Sequence, residues 1–269
     1  MELTHIVGYF CALLIGLVLG LIGGGGSILT VPILVYLLAL NPVTATAYSL
    51  FVVGSASLVG AAKNLQKGLV KFKTALAFAI PAVISVFSTR KYFVPAIPEK
   101  IMSIGNFVLT KDIAIMLFFA ILMLVASFSM ISDRQKLLGS KTKEEENTTN
   151  YFTLIPLGFV TGIITGLVGA GGGFIIIPIL VLIAGLPMKK AVGTSLFIIA
   201  INSLLGFLGD IGQINIDWPF LLVFSALSVV GIFLGVYLNK FIDGSKLKKG
   251  FGWFVLVMGI YIVYKELSK

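Results

Sequence analysis

The sequence predicts an all-α polytopic membrane protein made of two five-segment repeats, inverted relative to one another, each with a glycine-rich broken-helix hairpin. Three observations predict it. The first is composition: of 269 residues, 58% are apolar and 12% charged, and the mean hydropathy is +1.08. A soluble domain is closer to half apolar and a quarter charged. The second is a duplication. Gly20-Leu21-Ile22-Gly23-Gly24-Gly25-Gly26 through Pro32 to Val35 returns 146 residues later as Gly166-Leu167-Val168-Gly169-Ala170-Gly171-Gly172-Gly173 through Pro178 to Val181. Without a gap, 16 of the 39 positions from Gly20 to Leu58 are identical to their counterparts, so the chain holds two copies of one unit. The third is count. Five apolar segments per copy is an odd number, so the second copy enters the membrane from the opposite side.

In order, the apolar segments run over about 6–22, 27–40, 44–62, 72–90, 112–131, 152–168, 174–186, 190–208, 218–238 and 250–265. Most approach the roughly 20 residues that cross a bilayer. The second and seventh fall short, at roughly 20 Å of helix against a core of about 30 Å. The first copy occupies 1–131, a charged cytoplasmic linker 132–151, and the second copy 152–269. The stretch Tyr92 to Thr110, with Pro95 and Pro98, reads as an external or interfacial insertion. Met1 to His5 lacks the positive region of a signal peptide, so the first segment is expected to stay in the membrane. Trp218 and Trp253 fit interfacial anchors.

The formal charge of +9 follows from topology, not from a nucleic-acid surface, because each Lys and Arg reads as lying at a segment edge or in a loop. If all ten segments change sides, one face collects 14 of the 20 basic residues and the other 6. The richer face is then cytoplasmic and both termini are outside, in a multi-pass protein of the plasma membrane. A hairpin of two half-inserted helices would keep the same parity.

The glycine runs are the candidate site. Gly23, Gly24, Gly25 and Gly26 in one copy, and Gly169, Gly171, Gly172 and Gly173 in the other, are poor helix formers at membrane depth. The segments that follow begin with unpaired N–H groups and a partial positive charge, which suits an anion. Ser27 adjoins the first run. Pro32 and Pro178 are expected to break the following helices and free carbonyls toward a cavity. Segments three and eight add Thr46 and Ser49, and Thr194, Ser195 and Asn202. Ser49 and Ser195 coincide under the 146-residue offset, whereas Asn202 falls on Ala56. Small residues also serve close helix packing, and Ser and Thr bond back to their own helices. Asp210, aligned with Asn64, reads as a solvated residue at the end of its segment, with proton coupling as the alternative.

Other chemistries lack residues. A single cysteine, Cys11, and a single histidine, His5, make no disulfide and no metal cluster. No nucleophile has an evident base, no Gly-Lys-Ser or Gly-Lys-Thr marks an ATP site, and no cofactor is expected. An enzyme is therefore not expected. The expected partners are a small anion and the lipid bilayer, with a homo-oligomer compatible with the sequence.

With these residues in view the chain resembles the TauE/SafE family of sulfite and organosulfur anion exporters. The resemblance rests on Gly20 to Pro32, on Gly166 to Pro178, and on Ala-x-x-x-Ser-Leu-Phe after each (Ala45 to Phe51 and Ala191 to Phe197). It implies a permease, a secondary transporter, for a small sulfur oxyanion such as sulfite, thiosulfate or a sulfonate. The alternative is a transporter of a cation or other small solute that uses carbonyls freed at the kinks.

Overall fold

The computed structural model describes residues 2–104, 107–131, 151–238 and 244–268. The expected linker, apart from Tyr151, lies outside them. The described chain is helical but for one two-stranded hairpin. In chain order the helices are α1 (Glu2–Ile22), α2 (Pro42–Gln66), α3 (Phe72–Ser88), α4 (Lys111–Ile131), α5 (Tyr151–Val168), α6 (Gly173–Leu182), α7 (Met188–Leu208), α8 (Trp218–Leu238) and α9 (Gly244–Leu267). Between α1 and α2 runs an irregular arm: a 3₁₀ turn over Gly25–Leu29, one α turn over Thr30–Pro32, and a π turn over Ile33–Leu37.

Among the described residues six helical stretches are long and apolar enough to cross a membrane: Pro42–Gln66, Phe72–Ala96, Lys111–Ile131, Met188–Leu208, Trp218–Leu238 and Lys249–Leu267. The other four apolar stretches, Ile6–Ile22, Gly26–Leu37, Phe152–Val168 and Gly173–Leu182, are shorter and are the arms of the two glycine hairpins. The ten expected segments thus divide into six long helices and two hairpins. Helix α6, at ten residues, rises roughly 15 Å, about half a bilayer core.

Helices α2 and α7 lie at the centre. Their apolar windows are 72% and 67% buried, against 39% for α8 and 33% for α9 on the outside. Helix α1 packs on α8, α5 on α3, α2 on α7, and α4 on α9, so each of these pairs joins one copy to the other. Glycines set the closest approaches. A Cβ at Gly20 would lie 2.6 Å from the Ile232 carbonyl oxygen, and one at Gly166 would lie 3.2 Å from that of Val86, the same contact shifted by 146 residues. Gly16 abuts the Ser228 carbonyl as Gly162 abuts that of Ala82. Backbones approach this closely only where no side chain intervenes.

Local signals place the ends. Asn41 caps α2 by accepting from the Val43 N–H at 2.9 Å, with Pro42 at the first helical position. Pro32 ends its α turn, and the next turn widens so that the Leu38 N–H reaches the Ile33 carbonyl at 3.1 Å. Pro178 does not break its helix, contrary to expectation: α6 continues from Gly173 to Leu182 through it. It lies just past the first turn, where it removes a single hydrogen bond. The stretch from Tyr92 is also more ordered than a loop. Helix α3 runs on through a π turn (Thr89–Phe93) to Ala96, and β1 (Lys100–Ile104) then pairs antiparallel with β2 (Phe107–Thr110).

Candidate functional site

The two glycine turns meet inside the bundle. A Cβ placed on Gly173 would lie 2.5 Å from the Gly24 carbonyl oxygen, and one on Gly24 would lie 3.1 Å from the Gly173 Cα. Gly23 and Gly24 have φ of 76° and 125°, and Gly169, Gly171 and Gly172 have 70°, 67° and 72°. These left-handed backbones fit glycine and little else. Gly25 and Gly26 lie in the 3₁₀ turn and Gly173 begins α6. The first turn has four consecutive glycines, whereas Ala170 is fully buried within the second.

One face of α2 and one face of α7 line the turns. Thr46 abuts Gly169 and Val53 abuts Gly171, which places Ser49 between them on the same helical face. Val192 abuts Gly23, Ile199 lies against both Gly24 and Gly171, and Ser203 lies against Gly171. Asn202 follows Ile199 by three residues on the same side.

The hydroxyls divide into two groups. Ser27 Oγ donates to the Gly24 carbonyl at 2.7 Å. Ser195 Oγ shares its proton between the carbonyls of Gly23, 3.0 Å away, and Val192, at 2.9 Å, which pins the first turn to α7. Thr194 Oγ1 accepts the Lys71 N–H at 3.0 Å. Thr46 Oγ1 donates to the Val43 carbonyl at 2.8 Å. These four shape the scaffold. The second group has no hydrogen-bond partner among the described residues: Ser49 Oγ, both amide atoms of Asn202, Thr165 Oγ1, Ser203 Oγ, Thr30 Oγ1 and Ser57 Oγ. Thr165 lies against Gly172 and Ser203 against Gly171, so unsatisfied groups border the second turn. Leaving a buried polar group unpaired costs about 1–3 kcal/mol each, and a polar ligand would recover it. Ser203 coincides with Ser57 under the 146-residue offset, a signal that could have found it, whereas Thr165 carried none beyond its place beside the glycines.

Asp210 corrects the sequence reading. It is 2% exposed, and its Oδ2 accepts from Arg90 Nε at 2.8 Å. Arg90 is itself fully buried in the π turn that extends α3, not at a solvated segment edge. Its Nη1 donates to Thr46 Oγ1 at 3.0 Å and to the Gly166 carbonyl at 3.2 Å, and its Nη2 lies 3.4 Å from the Val43 carbonyl. Burial pushes the Asp210 carboxyl up from its ordinary value, and the Arg90 charge and hydrogen bond work against that rise. A second buried carboxylate, Glu266, accepts from the Tyr36 hydroxyl at 2.8 Å, where the irregular arm meets α9. Among the described residues no three His, Cys, Asp or Glu side chains gather as metal ligands. A shallow apolar groove between α4 and α9, lined by Leu124, Ile260 and Val263, holds none of the candidate residues.

Comparison with known proteins finds relatives along almost the whole chain. The profile of the Sulfite exporter TauE/SafE family matches residues 9–262. A probable membrane transporter protein of Xylella fastidiosa (strain 9a5c) is 28% identical over 258 residues, covering 94% of this chain and 92% of the relative. The probable membrane transporter protein YunE of Bacillus subtilis is 24% identical, covering 98% and 99%. A probable membrane transporter protein of Methanocaldococcus jannaschii is 41% identical over 115 residues, 40% of this chain and 43% of that one. No solved structure matches significantly.

Proposed function

The chain belongs to the sulfite exporter TauE/SafE family, and from that premise we propose that this membrane permease is a secondary transporter of a small sulfur-containing oxyanion such as sulfite, thiosulfate or a sulfonate. One observation carries the reading. Two glycine turns, one from each copy, touch in the interior beside hydroxyl and amide groups that lack partners. Backbone N–H groups of the turns, with Ser49, Thr165, Asn202 and Ser203, would surround an oxyanion without a lysine at the turns. Neutral donors hold such an anion weakly enough for release.

In this proposal the two copies, 1–131 and 152–269, form an inverted repeat and rock against each other about the turns. The glycine contacts duplicated at a 146-residue offset support the repeat. The excess of basic residues on one face supports a plasma-membrane protein with both termini outside. Gly23 to Gly26 and Ser27, with Thr46, Thr194 and Ser195, shape the site. Gly169 and Gly171 to Gly173 form its other wall.

The test is uptake of labelled sulfite, thiosulfate, sulfate and a small sulfonate into proteoliposomes, with and without a pH gradient. Saturable flux of one sulfur anion is expected. Gly172→Leu, which drives a side chain into Thr165 at a φ of 72°, should abolish that flux while folded protein remains in the membrane. Unchanged flux in Gly172→Leu would remove the site from the turns, and absence of flux from folded wild-type protein would refute the substrate class.

A further inference from the structure

We infer that Arg90 is a second anion site, held by the Asp210 carboxylate in this conformation, and that the permeating anion displaces Asp210 from it. The inference rests on the anion-transport reading but uses residues outside the glycine turns. Arg90 lies within the apolar stretch Phe72–Ala96, and a buried charged side chain in a membrane segment is costly and commonly marks an ion or substrate path. Arg90 is fully buried, and all three guanidinium nitrogens face acceptors: the Asp210 carboxylate, Thr46 Oγ1, and the Gly166 and Val43 carbonyls. Only Asp210 among them is an anion, held through one oxygen at Nε, and a sulfur oxyanion offers an equivalent charged oxygen to the guanidinium.

The repeat shows that packing does not require this pair. Shifted by 146 residues, Arg90 corresponds to Val236 and Asp210 to Asn64. Asn64 donates within its own helix to the Gly60 carbonyl at 2.8 Å. Equivalent glycine contacts therefore form in the other copy with no charge at either position. Location adds the link to transport. The Arg90 fork rests on Thr46, and Thr46 is the residue against Gly169 of the second turn. Arg90 and Thr46 belong to the first copy, Asp210 and Gly169 to the second. An anion that takes the place of Asp210 removes the ion pair that ties the end of α7 to α3, so occupancy loosens one of the contacts between the halves.

The experiment measures thermal stability of the purified full chain in sodium sulfite, thiosulfate or sulfate against sodium gluconate at matched ionic strength. Asp210→Asn and Asp210→Ser remove the internal anion and leave Arg90 available. Both should be stabilised by the sulfur anions at concentrations roughly 10–100-fold lower than the wild type needs, the worth of one charged hydrogen bond. Arg90→Gln combined with Asp210→Asn should lose the response. An anion response in the single variants equal to that of the wild type or of the double variant overturns the inference. If neither single variant folds in gluconate, recovery of folded protein in sulfate supports the site, and no recovery overturns it. Anion-dependent Asp210→Asn beside a wild type that moves no sulfur anion would refute the transport reading and leave the Arg90 site standing.

Discussion

Asn202 is a residue whose polarity works against stability. Its amide is fully buried, and neither its nitrogen nor its oxygen has a partner. Leucine has the same heavy-atom branching, a somewhat larger volume and no polar atoms. Asn202→Leu is therefore expected to stabilise the fold by about 1–3 kcal/mol while lowering transport at least tenfold, and Thr165→Val should behave alike. Thermal melts and proteoliposome flux on the same preparations check this. A variant less stable than wild type would mean that the amide is satisfied in the membrane by something other than substrate. Sequence reasoning reached Asn202 because it stands one helical face along from Ser195. It could not separate the hydroxyls that brace the backbone, such as Ser195 on Gly23, from those left unpaired, since both are small polar residues in apolar helices. Nor could it pair Arg90 with Asp210, which lie 120 residues apart, each near a segment end where a charge normally meets water.

At the level of elements, glycine spacing decides which helices touch. On α1, Gly16 and Gly20 meet the Ser228 and Ile232 carbonyls of α8, and Gly231 and Gly235 answer from α8 against Leu13 and Leu17. Gly16→Leu is expected to prevent this crossing and leave little folded protein on size-exclusion chromatography in detergent. Gly250→Ala in α9, with nothing among the described residues within 4 Å of the new methyl, should be neutral or stabilising by up to about 1 kcal/mol. Equal behaviour of the two variants would show that the crossing does not depend on close approach. The hairpins were legible in the sequence as short apolar segments joined by glycines. The irregular arm was less so, because a proline announces a lost hydrogen bond but not how the neighbouring turns absorb it: Pro32 is followed by a π turn, and Pro178 by more α-helix.

For the whole molecule, the principal pairings of α1, α2, α3 and α4 are with helices of the other copy. Neither half therefore covers its own packing faces. Residues 1–131 and 152–269, expressed as separate chains, are expected to copurify when made together and to aggregate or be degraded when made alone. A stable, monodisperse 1–131 would refute that dependence. The duplication was plain in the sequence. The exchange of partners between copies was not, because a period in sequence does not say which unit lies against which.

That exchange also governs how the protein is made. Synthesis proceeds from the N-terminus at about 5–20 residues per second. Helix α1 leaves the ribosome with its glycine stripe bare, and the carbonyls that fill it, at Ser228 and Ile232, are translated near the end of the chain. For roughly tens of seconds at that rate the first half waits in the bilayer without its partners. Slow, non-local pairing of this kind favours a chaperone or insertase that shelters early helices until the last ones arrive. Degradation of nascent chains, more than loss of the finished protein, is then the step at which a damaged stripe would first be felt.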